Sequence, residues 1–222
     1  MIFDWPATLI PNDVIIRPPR KTTGLNRSLS GFGQAVPVIR PPFGLKLVFG
    51  EIWGSEVLAW RAMEALFEGR ANVVRVPLFD LWLRAGDAAI GAGAVTHSDG
   101  TSFSDGALYV TDDLVGVTVS GVQGQRRITV DFGTYGKVLQ AGLFFGIGEH
   151  PYLARRVWWE GSVATIDCQP TLRRAVTDAA IKLRPTMLAG LTSDDGAELA
   201  LTRARFGTPT IELEERFNEP LS

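Results

Sequence analysis

GLKLVFGEI (44–52), SEVLAWRAMEALF (55–67) and NVVRVPL (72–78) follow one another with two short breaks, and the change of period between them decides the fold. In the first, Leu45, Leu47 and Phe49 alternate with Lys46 and Val48, the pattern of a half-buried strand. In the second, Ala59, Ala62, Met63, Leu66 and Phe67 fall at i, i+3 and i+4 spacing behind Ser55 as N-cap. Gly69 stops that helix, because glycine adopts the left-handed conformation a helix end needs. The third returns to an apolar strand through Val73, Val74 and Val76. Strand, helix, strand predicts a sheet packed by one helix, and no other stretch has the period for a second long helix.

Working outward, the flanks read as β structure. Residues 1–43 hold more than half of the 13 prolines, with Arg17-Pro18-Pro19-Arg20 and Arg40-Pro41-Pro42-Phe43 bracketing a Gly/Ser-rich stretch. Proline lacks a backbone donor and fixes φ, so this segment predicts an extended arm or long hairpin, with short strands at 13–16 and 34–39. Such an arm has too little apolar pattern to offset its ordering entropy alone and is better suited to draping over a neighbour. The Gly-, Ala-, Ser- and Asp-rich stretch 84–106 reads as loop. Strands are expected at 108–110, 115–122 and 126–132 as an inserted hairpin region, then at 142–147, 153–159 and 162–168 with a tight turn at Glu160-Gly161. A helical turn at 172–176 and strands at 181–183, 186–191, 197–205 and 210–214 complete the chain. The expected fold class is mainly β (α+β): sandwich- or barrel-like sheets, one main helix and an N-terminal arm. Its organisation is an arm plus sheet-helix unit over 1–85, a loop and hairpin insertion over 86–139, and a C-terminal β unit over 140–222 that packs back on the first sheet.

Composition narrows the function. With 45% apolar residues the chain can bury a sizeable core, and 22 Lys+Arg against 24 Asp+Glu make no electrostatic case for nucleic acid as main partner. One cysteine, Cys168, gives no disulfide framework and fits folding in a reducing cytoplasm. The N-terminus has no signal-peptide pattern, and no run reaches the roughly 18 apolar residues of a membrane span.

Residues able to carry chemistry each meet a simpler explanation. His97, Asp99 and Ser102 have the types of a nucleophilic triad, but triads are assembled from separated rigid elements, and these three share one Gly/Ser-rich loop. Asp99, Asp105, Asp112 and Asp113, like Asp194-Asp195-Gly196, are oxygen ligands without the spacing of a calcium loop. Glu149-His150 reads as a solvated turn pair. Glu212, Glu214 and Glu215 could suggest paired carboxylates, yet Glu212 and Glu214 share one strand face, expected to be solvated or set against a basic neighbour. Trp53, Trp60, Trp82, Trp158 and Trp159 allow sugar stacking, but packing in the core or at a subunit interface is the simpler role; alternation puts Trp158 and Trp159 on opposite faces. No catalytic, cofactor or metal residue is therefore expected. The interface candidates are Arg17, Arg20, Lys21 and Arg27 in the arm, suited to acidic residues of an adjacent subunit, with Trp5 and Trp158.

A further order of short elements runs along the chain: Trp5-Pro6, Ser30-Gly31-x-x-Gln34-x-Val36, Gly69-Arg70-Ala71 after the helix, Val76-Pro77-x-x-Asp80, Ala141-Gly142-x-Phe144-Phe145-x-Ile147 and Pro170-Thr171-Leu172-Arg173. In this order the chain resembles the minor tail proteins of long-tailed bacteriophages, the group that includes distal tail proteins. The resemblance covers roughly residues 1–82 and 140–217. It implies a mostly β structural protein without enzyme activity. That protein would work in the virion tail tip as a homo-oligomeric ring, a hexamer for instance, between the tail tube and tape measure on one side and hub or fibre proteins on the other. The chain departs from the family pattern in having no acid after Gly142 and a long hairpin region around Leu108 to Phe132. Carbohydrate or receptor binding through that insertion is the alternative, and a small hydrolase a third.

Overall fold

A computed structural model describes residues 1–19, 26–27, 33–34, 40–83, 93–95, 109–111, 113–203 and 205–216. The strands are β1 (Ile2–Asp4), β2 (Asp13–Arg17), β3 (Asn26–Arg27), β4 (Gly33–Gln34), β5 (Gly44–Val48), β6 (Val73–Pro77), β7 (Gly93–Val95), β8 (Tyr109–Thr111), β9 (Asp113–Gly121), β10 (Arg127–Asp131), β11 (Phe144–Ile147), β12 (His150–Glu160), β13 (Val163–Gln169), β14 (Val176–Lys182), β15 (Thr186–Leu191) and β16 (Thr210–Glu215). The α-helix is α1 (Ser55–Phe67). The fold is mainly β with one main helix, as the sequence predicts. Two compact units divide the chain: Met1, Pro6–Val73 and Ala189–Ser222 form the first, Ile2–Trp5 and Val74–Leu188 the second.

In the first unit β5 pairs antiparallel with β2 on one side and β16 on the other, and β16 continues to the Ala189–Leu191 end of β15. The expected alternation holds along β5, where Leu45, Leu47 and the following Phe49 are buried. The face of α1 is rotated from the expected one. Val57, Trp60, Met63 and Phe67 are its buried residues, while Ala62 and Leu66 are exposed. The bulkier Val57 and Trp60 take the core side because they bury more apolar area than Ala59 and Ala62. Ser55 opens the helix instead of capping it: Gly54 holds the cap position with no side-chain bond, and Glu56 accepts the Trp53 amide. The stop near Gly69 is observed, with Glu68 and Gly69 both at positive φ.

The described residues of 192–208 do not form the strand expected over 197–205. Their alternation finds no ladder partner beyond a single bridge from Gly207 to Ile52, and turns at Ser193–Gly196 and Thr202–Phe206 fold the segment locally. Its fixed point is Ala197, 2% exposed, whose carbonyl accepts the Trp60 indole N–H at 2.8 Å.

In the second unit six antiparallel strands run in the order β10-β13-β12-β11-β14-β9. The outer two, β9 and β10, are joined by the turn at Val122–Arg126 and lie side by side, so the sheet is nearly barrel-shaped. Closure of this kind removes open strand edges. Its interior holds Val119, Ile128, Val130, Phe132, Phe145, Tyr152, Ile166 and Ile181, with Phe145 stacked on Tyr152 at 5.6 Å. The Val115–Val122 and Arg126–Phe132 strands read as an inserted hairpin are thus members of the same sheet as the strands after Gly142. Two expectations fail nearby. No helical turn forms at 172–176, and the strand expected at 181–183 begins at Val176, where Asp178, Ala179 and Ala180 hide it by composition. In the N-terminal segment the strand expected at 13–16 is β2, whereas residues 35–39 of the strand expected at 34–39 lie outside the described residues; Gln34 belongs to β4, which pairs antiparallel with β3.

Candidate interaction surfaces

Each unit carries polar groups whose placement can be compared with their sequence readings. On β16, Glu212 lies 3.1 Å from Lys46 Nζ and 3.5 Å from Arg17, since β2, β5 and β16 are consecutive strands. The Lys46 bond first, then Arg17, holds the Glu212 carboxyl below its ordinary value against a smaller opposing effect of desolvation. The basic neighbour expected for this face is therefore present. Glu215, 3% exposed, takes the inward position of β16 after Ile211 and Leu213; its Oε2 accepts the Phe43 amide at 3.0 Å, which ties the entry of β5 to β16. Ile16, Arg17, Pro18, Pro42, Gly44, Thr192, Leu213 and Glu214 line an open groove of about 480 Å³ at the base of the arm.

In the second unit Arg75 on β6 donates to Asp4 at 2.6 Å and pairs with Glu149 at 3.1 Å, while Glu149 accepts the Thr186 hydroxyl at 3.1 Å. Arg75 Nε meets the Glu149 carboxylate in distance but not in hydrogen-bond direction, so this contact is an ion pair only. The Asp4 hydrogen bond, foremost, and the Glu149 charge raise the guanidinium pKa above its ordinary value. Glu149-His150 is consequently not the solvated turn pair expected. Glu149 belongs to this network, and His150, 6% exposed, opens β12. Burial pushes the Cys168 thiol up to about 12, consistent with a small apolar role.

The tryptophans separate by face. Trp60 is fully buried, and Trp159 packs against Phe132 at 5.2 Å, whereas its neighbour Trp158 is 43% exposed, as alternation requires. Trp53 and Trp82 are 70% and 75% exposed. The Arg127 guanidinium lies 5.5 Å from the Trp158 ring centroid, a cation–π contact. Trp5 is 8% exposed and meets Phe79 edge-on at 6.0 Å, while Arg17 is exposed beside the groove. Arg20 and Lys21 lie outside the described residues; Arg27 is in β3, with its side chain outside them.

His97, Asp99, Ser102, Asp105 and Asp112 also lie outside the described residues, as does the side chain of Asp113. Among the described residues no cluster of three metal-ligating side chains occurs, and no helix is long and apolar enough to cross a membrane. Sequence reading missed the Arg75 network, since Asp4, Arg75 and Glu149 are brought together only by tertiary structure. No protein-family model matches this chain, and no curated protein matches it.

Proposed function

We propose that this chain is a structural component of a phage tail tip, a distal-tail-like subunit that forms a homo-oligomeric ring joining the tail tube to the hub or fibres. Its work lies in its surfaces, not in catalysis, and its place is the virion, after assembly in the host cytoplasm. The observation that carries this reading is the division of labour among side chains. Glu149, Glu212 and Glu215 are engaged with cations or backbone, whereas Trp53, Trp82 and Trp158 face solvent on otherwise folded units. Exposed tryptophan is enriched where proteins dock. The ordered motifs from Trp5-Pro6 to Pro170-Thr171-Leu172-Arg173 support the same reading, and the arm with Arg17, Arg20, Lys21 and Arg27 supplies reach toward a neighbour. Tail tube, tape measure and hub or fibre proteins are the partners this implies.

The exposed tryptophans also favour a second reading, a carbohydrate- or receptor-binding module of the tail. Light scattering with negative-stain imaging separates the two. Closed rings with a mass several times the 24.1 kDa of one chain are expected; a monomer that binds glycans through its tryptophans would replace the ring with the module.

A further inference from the structure

The outer face of the second unit concentrates arginine around Trp158. Opposed residues of neighbouring strands share a face. In register, Arg156, Asp167 and Arg127 form one row across β12, β13 and β10, and Trp158, Thr165 and Thr129 form the next. A β-bulge between Ala154 and Arg156 inserts one extra residue in β12, so that Arg155 and Arg156 are both exposed instead of alternating. Asp167, the one acid in the arginine row, is 7% exposed and pairs with Arg126 at 3.4 Å. Arg127, Arg155 and Arg156 are left without a carboxylate partner among the described residues, beside a half-exposed indole. Glu160 and Asp131 lie two rows away at the far end of the face.

The first unit carries the opposite charge on a preorganised loop. Asp194, Asp195 and Glu198 are exposed in the turn that follows β15. Asp194 meets Arg70 at 3.1 Å, while Asp195 and Glu198 have no cationic partner among the described residues. The Trp60 bond to Ala197 fixes this loop on α1, which lowers the entropy lost on docking. With 22 basic and 24 acidic residues, one copy repels another only weakly at long range, leaving local patches to choose the contact.

We infer that the Arg127–Arg155–Arg156–Trp158 face docks the acidic Ser193–Glu198 loop of a second copy of this chain. The guanidinium groups meet carboxylates with paired donors, and Trp158 supplies the apolar anchor. Two different surfaces joined in this way make a head-to-tail contact, which closes into a ring when the rotation between copies divides a full turn and otherwise runs on as a filament. This inference rests on the ring reading above and specifies its interface.

Sedimentation velocity of the full chain over a concentration and salt series tests it. Arg155→Glu with Arg156→Glu should weaken assembly by more than about tenfold in apparent Kd. Asp195→Lys with Glu198→Lys should do the same, and each variant should keep the native circular dichroism because all four side chains are exposed. Mixing the two variants, or combining all four changes in one chain, should restore assembly. Wild-type assembly should weaken as salt rises. Rings that persist unchanged in both charge-reversed variants overturn this interface and leave the ring reading standing. A wild-type chain that is monomeric at every concentration overturns both.

Discussion

Trp60→Phe offers the most exacting test of how the first unit is held together. Trp60 is fully buried, meets Phe49 edge-on at 5.1 Å and donates its indole N–H to the Ala197 carbonyl at 2.8 Å. Phenylalanine retains an aromatic body but removes the donor and roughly 40 Å³ of side chain, which at about 24 cal/mol per Å³ of unfilled cavity comes to about 1 kcal/mol. Leaving the buried carbonyl unsatisfied adds about 1–3 kcal/mol. The expected loss is therefore about 2–4 kcal/mol, confined to the first unit. Because two units need not unfold together, the assay is native-state hydrogen exchange read by peptide. Protection of α1 amides should fall by about 30- to 1,000-fold, with the 192–208 segment following, while peptides from β10 and β13 keep wild-type rates. A loss below about 1 kcal/mol, or one spread equally over both units, would refute the view that this bond anchors the acidic loop on α1.

Three further outcomes are expected. Glu212→Gln should cost about 0.5 kcal/mol at pH 7, a small value because the pair is part-exposed. The carboxyl is depressed by Lys46 and then Arg17, so its contribution is present above its ordinary 4.5 and lost as pH falls through the depressed folded value. Denaturation midpoints of wild type and Glu212→Gln should therefore converge in acid, and an equal gap at pH 7 and pH 2 would count against the pairing. Cys168, at about 12, should carry about one thiolate in 10,000 at pH 8, so an aromatic disulfide reagent should label it fast only after denaturation; rapid native labelling would contradict its burial. In Gly207→Ala the new Cβ would stand 2.5 Å from the Ala200 carbonyl oxygen and 2.8 Å from Leu199, and a loss of about 1–3 kcal/mol is expected by chemical denaturation. An unchanged midpoint would show that the segment relaxes freely.

Local period made much of the fold legible. Leu45, Leu47 and Phe49 marked their strand and its buried face, and Gly69 marked the end of α1. Failures occurred where tertiary contacts decide between local options. Small alanines satisfied the helical period of α1, but Val57 and Trp60 claimed the core side. Residues 198–205 alternate like a strand, yet among the described residues no neighbouring strand offers them a ladder, and Ala197 is held by a side chain instead. β14 was hidden because its middle, Asp178-Ala179-Ala180, has weak strand propensity and is irregular in register against β9. The interface candidates were legible as residue types only: alternation put Trp158 and Trp159 on opposite faces, and the packing of Trp159 against Phe132 decides which of them is outward. The bulge that turns Arg155 and Arg156 to the same surface leaves no signature in sequence. The Asp4–Arg75–Glu149 network joins residues far apart in the chain and could not be read locally.

The tail-tip reading meets its most direct test when purified chain is mixed with isolated tail tubes of long-tailed phages, and the mixture is imaged by negative stain. The account predicts a ring seated at one end of each tube and absent from the other. Free monomers alongside bare tubes, at concentrations well above those of assembly, would contradict it.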